Sequence, residues 1–300
     1  MNYIPLSKIR YSDPKNYEKI YKERFTSPSS EHFNFSISGN EAFFIVNNEL
    51  LSQITELYEM NAKLDSITKQ LPNIALNQFT KKCLIDEIHL TNDIEGVYST
   101  RKEIDEILSM TVPKSQKNNR IFGLVKKYEL IGSENIPLKT CADIRNLYDE
   151  LVLTEVLQQD SENAPDGKLF RKDIAVVMNK FQKIIHEGVY PESDLIEMMQ
   201  ISLDFLNNKN YTKFIRIAVF HYLFGYMHPF YDGNGRTSRF ISSYLLSKFL
   251  NPLVCYSLSY TIKNNISKYY KSFEITNDKT NRGDITPFIF GFLEILKSLY

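Results

Sequence analysis

The sequence predicts a mainly α-helical protein carrying one small β-hairpin. Three observations lead there. Apolar residues recur at three- and four-residue spacing from about residue 47 onward, and Pro72, Thr100 and Pro191 stand where helices would begin. Only one segment, within 174–190, is rich in β-branched residues without a helical period. At 300 residues the chain is long enough to bury a core that needs no staples.

Residues 1–40 are polar, hold Pro5, Pro14 and Pro28 and the run TSPSSEHF, and read as an irregular arm with a short strand around 32–38. The stretch LLSQITELYEMNAKLDSITKQL places Leu50, Ile54, Leu57, Leu64 and Leu71 at helical spacing. A second helix follows Pro72, runs through IALNQFTKKCLIDEIHLTNDI and stops at Glu95-Gly96. Thr100 with Glu103 forms a capping box for a third helix, RKEIDEILSM. The run TVPKSQKNNR at 111–120 is linker-like and divides the chain into 1–118 and 119–300.

Helical patterns resume at 121–131 and 141–158, and QQDSENAPDGKLFRKD is a loop. After the hairpin, a helix over 193–207 follows Pro191. The segment 213–227 is apolar nearly all round, which predicts a buried helix. Further helices are expected at 236–250, 262–275 and 286–298.

Lys plus Arg balance Asp plus Glu at 36 each, so no global field draws the chain to nucleic acid or a membrane; an anion would be held by a local site. Cys83, Cys141 and Cys255 are distant and odd in number, which fits reduced thiols. The first residues lack the apolar stretch of a signal peptide, and no segment has the ~18 uninterrupted apolar residues of a membrane span. A cytoplasmic location is expected.

Residues 228–239, HPFYDGNGRTSR, concentrate the chemistry. Pro229 cannot continue the preceding helix, and Gly233 and Gly235 let the backbone turn and present N–H groups at the start of the next one. There the free donors and the macrodipole favour an anion. Arg236 and Arg239 share a face in the first turn, where cations are disfavoured unless an anion lies between them. Asp232 fits beside them if a hard cation such as Mg²⁺ bridges it to phosphate oxygens. His228 is the side chain of the loop able to act as a base near neutral pH. An EF-hand reading fails, because Arg236 falls on a ligand position and the required glycine is absent.

The stretch resembles, position by position, the signature HxFx(D/E)GNGRxxR of the Fic (Fido-domain) family. The likeness extends to IRIAVFHYLFGYMHPF, to GKLFRKD…VYPES and to LSYTIKNNISKYYKSF, over roughly 120–300. The resemblance implies the Fic helical fold with a hairpin flap, preceded by an N-terminal helical region. It also implies protein adenylylation (AMPylation): transfer of AMP from ATP to a Ser, Thr or Tyr hydroxyl of a target protein, or of the enzyme itself, with release of pyrophosphate. On that resemblance His228 is the base, Asp232 holds Mg²⁺, and Asn234 with the N–H groups around Gly233 and Gly235 forms the anion hole. Arg236 grips the phosphates and Arg239 reaches the γ-phosphate.

Upstream, TNDIEG at 91–96 is similar to the family's inhibitory pattern (S/T)xxxE(G/N), through Thr91, Glu95 and Gly96. Taken alone it is a helix end with a glycine cap. Thr91 and Glu95 are four apart and share a face, so Glu95 is expected to pair with Arg239 and restrain the enzyme. The same site could instead run AMP removal, and a non-catalytic nucleotide-binding module is the reading from another class. The target's identity and a homodimeric state stay open. His221 reads as a packing or hydrogen-bonding residue, and His32, His89 and His186 lack metal-ligand spacing. Tyr269 or Tyr270 is expected to border an adenine pocket, and Ile184, Ile185 and Val189 to lie near a flap edge that pairs with a target's main chain.

Overall fold

The computed structural model describes residues 3–110, 120–178 and 184–300. The N-terminal segment is more regular than its prolines suggested. It forms α1 (Leu6–Ser12), α2 (Tyr17–Phe25) and an antiparallel hairpin of β1 (Ser30–Ile37) and β2 (Asn40–Ile45). The expected irregular arm is therefore corrected, although the strand foreseen at 32–38 is present. Tertiary contact decides this: Phe43 takes a hydrogen bond from Ile285 N–H at 2.7 Å and donates to Gly283 O at 3.0 Å. Phe44 packs among Phe33, Phe205 and Tyr211. Tyr3 and Arg24 both reach the buried Asp284 carboxylate.

The next helices follow the sequence pattern: α3 (Asn48–Thr68), α4 (Asn73–Ile94) and α5 (Arg101–Ser109), with the Thr100 side chain accepting Glu103 N–H. The expected linker at 111–120, and with it the boundary at 118/119, falls on positions outside the described residues apart from Arg120. Then come α6 (Phe122–Glu129), α7 (Cys141–Tyr148) and α8 (Thr154–Gln159), with a wider π turn at Asp149–Leu153 interrupting the helix expected over 141–158. Gly123 lies against that turn, where a Cβ would come within 2.0 Å of Glu150 O.

The predicted hairpin is β3 (Val176–Met178) paired with β4 (Ile184–Glu187). After it run α9 (Glu192–Asn207), α10 (Lys213–Met227), α11 (Asn234–Ser247), α12 (Pro252–Cys255), α13 (Leu258–Asn264), α14 (Ile266–Asn277) and α15 (Thr286–Lys297). The single helix expected at 262–275 is in fact α13 and α14, offset at Asn265, whose side chain bonds back to Thr261 O.

Helix α10 is the axis of the fold. It packs on α9, α11 and α15 and buries Phe214, Ile217, Val219, Tyr222 and Phe224 on several faces. Helix α4 lies across α11 and α13, which brings its C-terminal turn to the start of α11. Hydrophobic residues from Phe33 to Leu296 form one continuous buried cluster. Because Phe44 is fully buried in it, Phe44→Ala is expected to cost about 3–5 kcal/mol. Urea unfolding followed by circular dichroism would read this as a lowered midpoint of one transition.

Candidate active site

Helix α10 ends at His228, whose backbone is left-handed (φ 51, ψ 62) and whose N–H still bonds to Phe224 O at 3.0 Å. A left-handed residue closes many helices, but it is usually glycine; a side chain there costs roughly 1 kcal/mol. The chain then turns through Pro229 and Phe230. Phe230 is fully buried, stacked on Tyr148 at 3.6 Å.

Asn234 closes the loop with both halves of its amide. Its Oδ1 accepts Phe230 N–H at 3.0 Å and its Nδ2 donates to Phe230 O at 2.7 Å. Gly233 takes a positive φ of 78, and a Cβ there would come within 2.8 Å of Val152. Asp232 accepts its neighbour's N–H from Gly233 and remains about one-third exposed. Helix α11 starts at once, so its first N–H groups face the loop without intrahelical partners.

Arg236 and Arg239 are each only 1% exposed, so both charges need partners. Arg236 meets Glu155 of α8, a buried carboxylate that the sequence reading did not single out. The Nε and Nη2 groups of Arg236 have no hydrogen-bond partner among the described residues. Arg239 is held by α4: its Nε donates to Thr91 Oγ1 at 2.8 Å, and its Nη2 to Thr91 O at 2.9 Å and to Glu95 Oε1 at 2.7 Å. Burial opposes the Arg239 charge, yet Glu95, Tyr269 and Tyr128 outweigh it and raise its pKa. Gly96 follows with φ 72, ending α4 as a glycine cap should.

The Glu95 carboxylate lies over the start of α11. A Cβ at Gly235 would sit 2.0 Å from Glu95 Oε1. The predicted residues 91–96 and 228–239 therefore converge in space, although about 130 positions separate them. Burial, with His186 and Arg171 nearby and only partly offset by Glu95, holds the His228 imidazole down to about 4.

Among the other predicted residues, His221 is buried, with Nδ1 2.8 Å from Ser242 Oγ and Nε2 2.7 Å from Tyr269 OH. Burial, aided by Arg239, lowers its pKa to about 3. Tyr269 is thus a buried core partner of His221, whereas Tyr270 is half exposed and lies near Glu95. Ile184 and Ile185 are exposed on the hairpin, and Val189 is half-buried at its base. His32 and His89 bond to backbone carbonyls of Phe25 and Ser99.

Comparison with known proteins fits this geometry. The sequence profile of the Fic/DOC family matches residues 139–246. The chain is 27% identical over 226 residues to "Protein adenylyltransferase Fic" of Aedes aegypti, a match covering 72% of this chain and 41% of that protein. It is 27% identical over 274 residues to the protein of the same name from Drosophila ananassae, covering 85% and 50%. The chain thus spans about half the length, or less, of these curated relatives. Its fold is similar to a Fic family protein from Desulfovibrio desulfuricans, with a TM-score of 0.63 and 19% identity over 85% of this chain and 74% of that one. It is also similar to Fic-1 (residues 134–508) from C. elegans, with a TM-score of 0.55 and 19% identity over 98% and 78%. Among the described residues no helix is long and apolar enough to cross a membrane.

Beneath the loop 228–239, Glu87 was also missed by the sequence reading. It stands one turn before Thr91 on the inward face of α4, and accepts Ser259 N–H at 2.6 Å and Ser259 Oγ–H at 2.7 Å. Burial raises its carboxyl to about 7, against hydrogen bonds from Ser259 and the nearby Arg239 charge. The folded protein thus keeps this proton to higher pH than the unfolded chain does. Stability from Glu87 is full below about 4.5 and lost as pH rises through 7, by roughly 3 kcal/mol at most. Glu87→Gln is expected to flatten that slope. Urea midpoints of wild type and variant at pH 5 and pH 8 would check it: the variant gains relative to wild type only at the higher pH.

Proposed function

We propose that the protein is a protein adenylyltransferase that transfers AMP from ATP to a hydroxyl side chain of a target protein and is held in check by Glu95. One observation carries the reading: the Glu95 carboxylate, an anion, lies over Gly235 at the N-terminus of α11 and is paired with Arg239. A phosphate would find there the same helix end and the same guanidinium. Arg236 supports this: among the described residues its buried Nε and Nη2 have no hydrogen-bond partner, Asp232 lying 3.8 Å from Nη2, and they suit phosphate oxygens.

No group of three or more His, Cys, Asp or Glu among the described residues could hold a metal by itself. Asp232 fits a Mg²⁺ ion that arrives on the nucleotide, because such an ion needs only one or two protein carboxylates. When bound, that ion would neutralise charge on the phosphates. The protein's own contribution is positional. Asn234 holds the loop closed, the α11 N–H groups and the two arginines fix the phosphates, and His228 takes the proton of the target hydroxyl. The hydroxyl oxygen bonds to the α-phosphorus, the bond from that phosphorus to the β-phosphate oxygen breaks, and its electron pair leaves with pyrophosphate. In the present arrangement Glu95 occupies the Arg239 fork, so the γ-phosphate must displace it. The target's main chain would lie along the β3–β4 flap, where Ile184 and Ile185 are exposed.

Labelling with α-³²P-ATP and Mg²⁺ tests the reading. Glu95→Gly is expected to label itself or a lysate protein on the order of ten times faster than wild type or more, and Glu95→Gly/His228→Ala not at all. Equal labelling by wild type and Glu95→Gly removes the restraint from the proposal, and label that survives loss of His228 removes the base. The pH profile gives a second check. With His228 near 4 in the wild type, and Glu95 among the groups that raise it, its neutral form is present throughout pH 6–8 in Glu95→Gly, so initial rates of that variant should show no His228 titration there.

A further inference from the structure

The geometry points to Arg171 as the positioning residue that sets His228 and the β3–β4 flap as one unit. This rests on the adenylyl-transfer reading for its kinetic consequence, though not for its structural one. Arg171 is 1% exposed, and its four described hydrogen bonds all run to main-chain carbonyls. Its Nε donates to His228 O at 2.7 Å. Its Nη2 donates to Met227 O at 3.1 Å and Val189 O at 2.9 Å, and its Nη1 to Asp173 O. One planar fork thus joins the last turn of α10, the left-handed histidine and both roots of the flap. Only a guanidinium has enough donors in a fixed plane to do so.

The charge is suited to its place. The C-terminus of α10 carries unsatisfied carbonyls and the negative end of the helix dipole, which favour a cation there. The surrounding backbone is built around the fork. Arg171 N–H bonds to Pro229 O at 3.2 Å, Val189 N–H to Met227 O at 3.1 Å, and His186 Nε2 lies 2.6 Å from Tyr226 O. Gly188 makes room for it: a Cβ at that position would come within 2.3 Å of Arg171 Nη2, 2.9 Å of Met227 O and 3.0 Å of His228 Cβ. The flap is therefore registered against residues 226–228. A target strand laid on it would meet the imidazole at a distance set by Arg171. The nucleotide side of the site, Arg236 and Arg239, is held separately by Glu155, Thr91 and Glu95.

Arg171→Ala, Arg171→Lys and Gly188→Ala in the Glu95→Gly background separate this role from simple core support. The chain has five histidines, so ring resonances of protein labelled with ¹⁵N-histidine report each one. The expected result is that the His228 and His186 signals move or broaden, while His32, His89 and His221 stay. Label transfer should lose kcat on the order of 10²-fold with the KM for ATP little changed, and added guanidinium ion should restore part of it to Arg171→Ala. Unchanged His228 and His186 signals, or all five moving together, would overturn the assignment, as would a rise in the KM for ATP at constant kcat. If the Glu95→Gly parent transfers no label, the adenylyltransferase reading fails, and the histidine spectra alone still decide the role of Arg171.

Discussion

Two guanidinium groups buried at the positive end of one helix are the constraint around which this molecule is arranged. Arg236 and Arg239 lie in the first turns of α11, where the dipole disfavours cations, and both are 1% exposed. A buried charge without a partner costs several kcal/mol, so other elements must bring carboxylates or acceptors to them. Helix α8, displaced by the π turn before it, brings Glu155; helix α4 brings Thr91 and Glu95. Much of the packing of α4 across α11 and α13 can be understood as the scaffold for this charge pairing, with Glu87 and Ser259 fastening the same helix face one turn earlier.

The loop between α10 and α11 has little freedom left. Asn234 bonds both ways to Phe230, Phe230 stacks on Tyr148, and Tyr231 bonds to Asp166 and to the N–H of Asp173. Rigidity of this kind suits a site that works by placing charges rather than by forming covalent intermediates. The two halves of the site are held by different means. Carboxylates set the arginines on the α11 side, whereas main-chain carbonyls gathered by Arg171 set His228 and the flap.

Most of the helices were legible from apolar spacing, because amphipathic periodicity is a local property. The hairpin at 174–190 was legible from its β-branched residues and the lack of a helical period, which are local signals too. The N-terminal segment was misjudged because its order comes from distant partners: Gly283 and Ile285 supply the backbone bonds for Phe43, and Asp284 receives Tyr3 and Arg24. The split of α13 from α14 was likewise invisible to a window that sees only period. Glu87, Glu155 and Arg171 stand in ordinary polar or amphipathic contexts, and nothing local marks them as buried.

The sequence by itself determined the chemistry of the loop 228–239, since glycines, a proline and paired arginines at a helix start carry their meaning within a dozen residues. It also paired Thr91 with Glu95 on one helix face. The pairing of Glu95 with Arg239 was expected from the family resemblance, whereas the meeting of Arg236 with Glu155 follows from the packing of helices alone. Beside Asp232 of its own loop, Arg236 meets Glu155 from 81 positions away, and the partners of Arg239 lie 144 to 148 positions away, distances at which neither period nor propensity carries information. Burial made those choices, because a guanidinium removed from water must be paired by whatever carboxylate the packing of helices delivers to it.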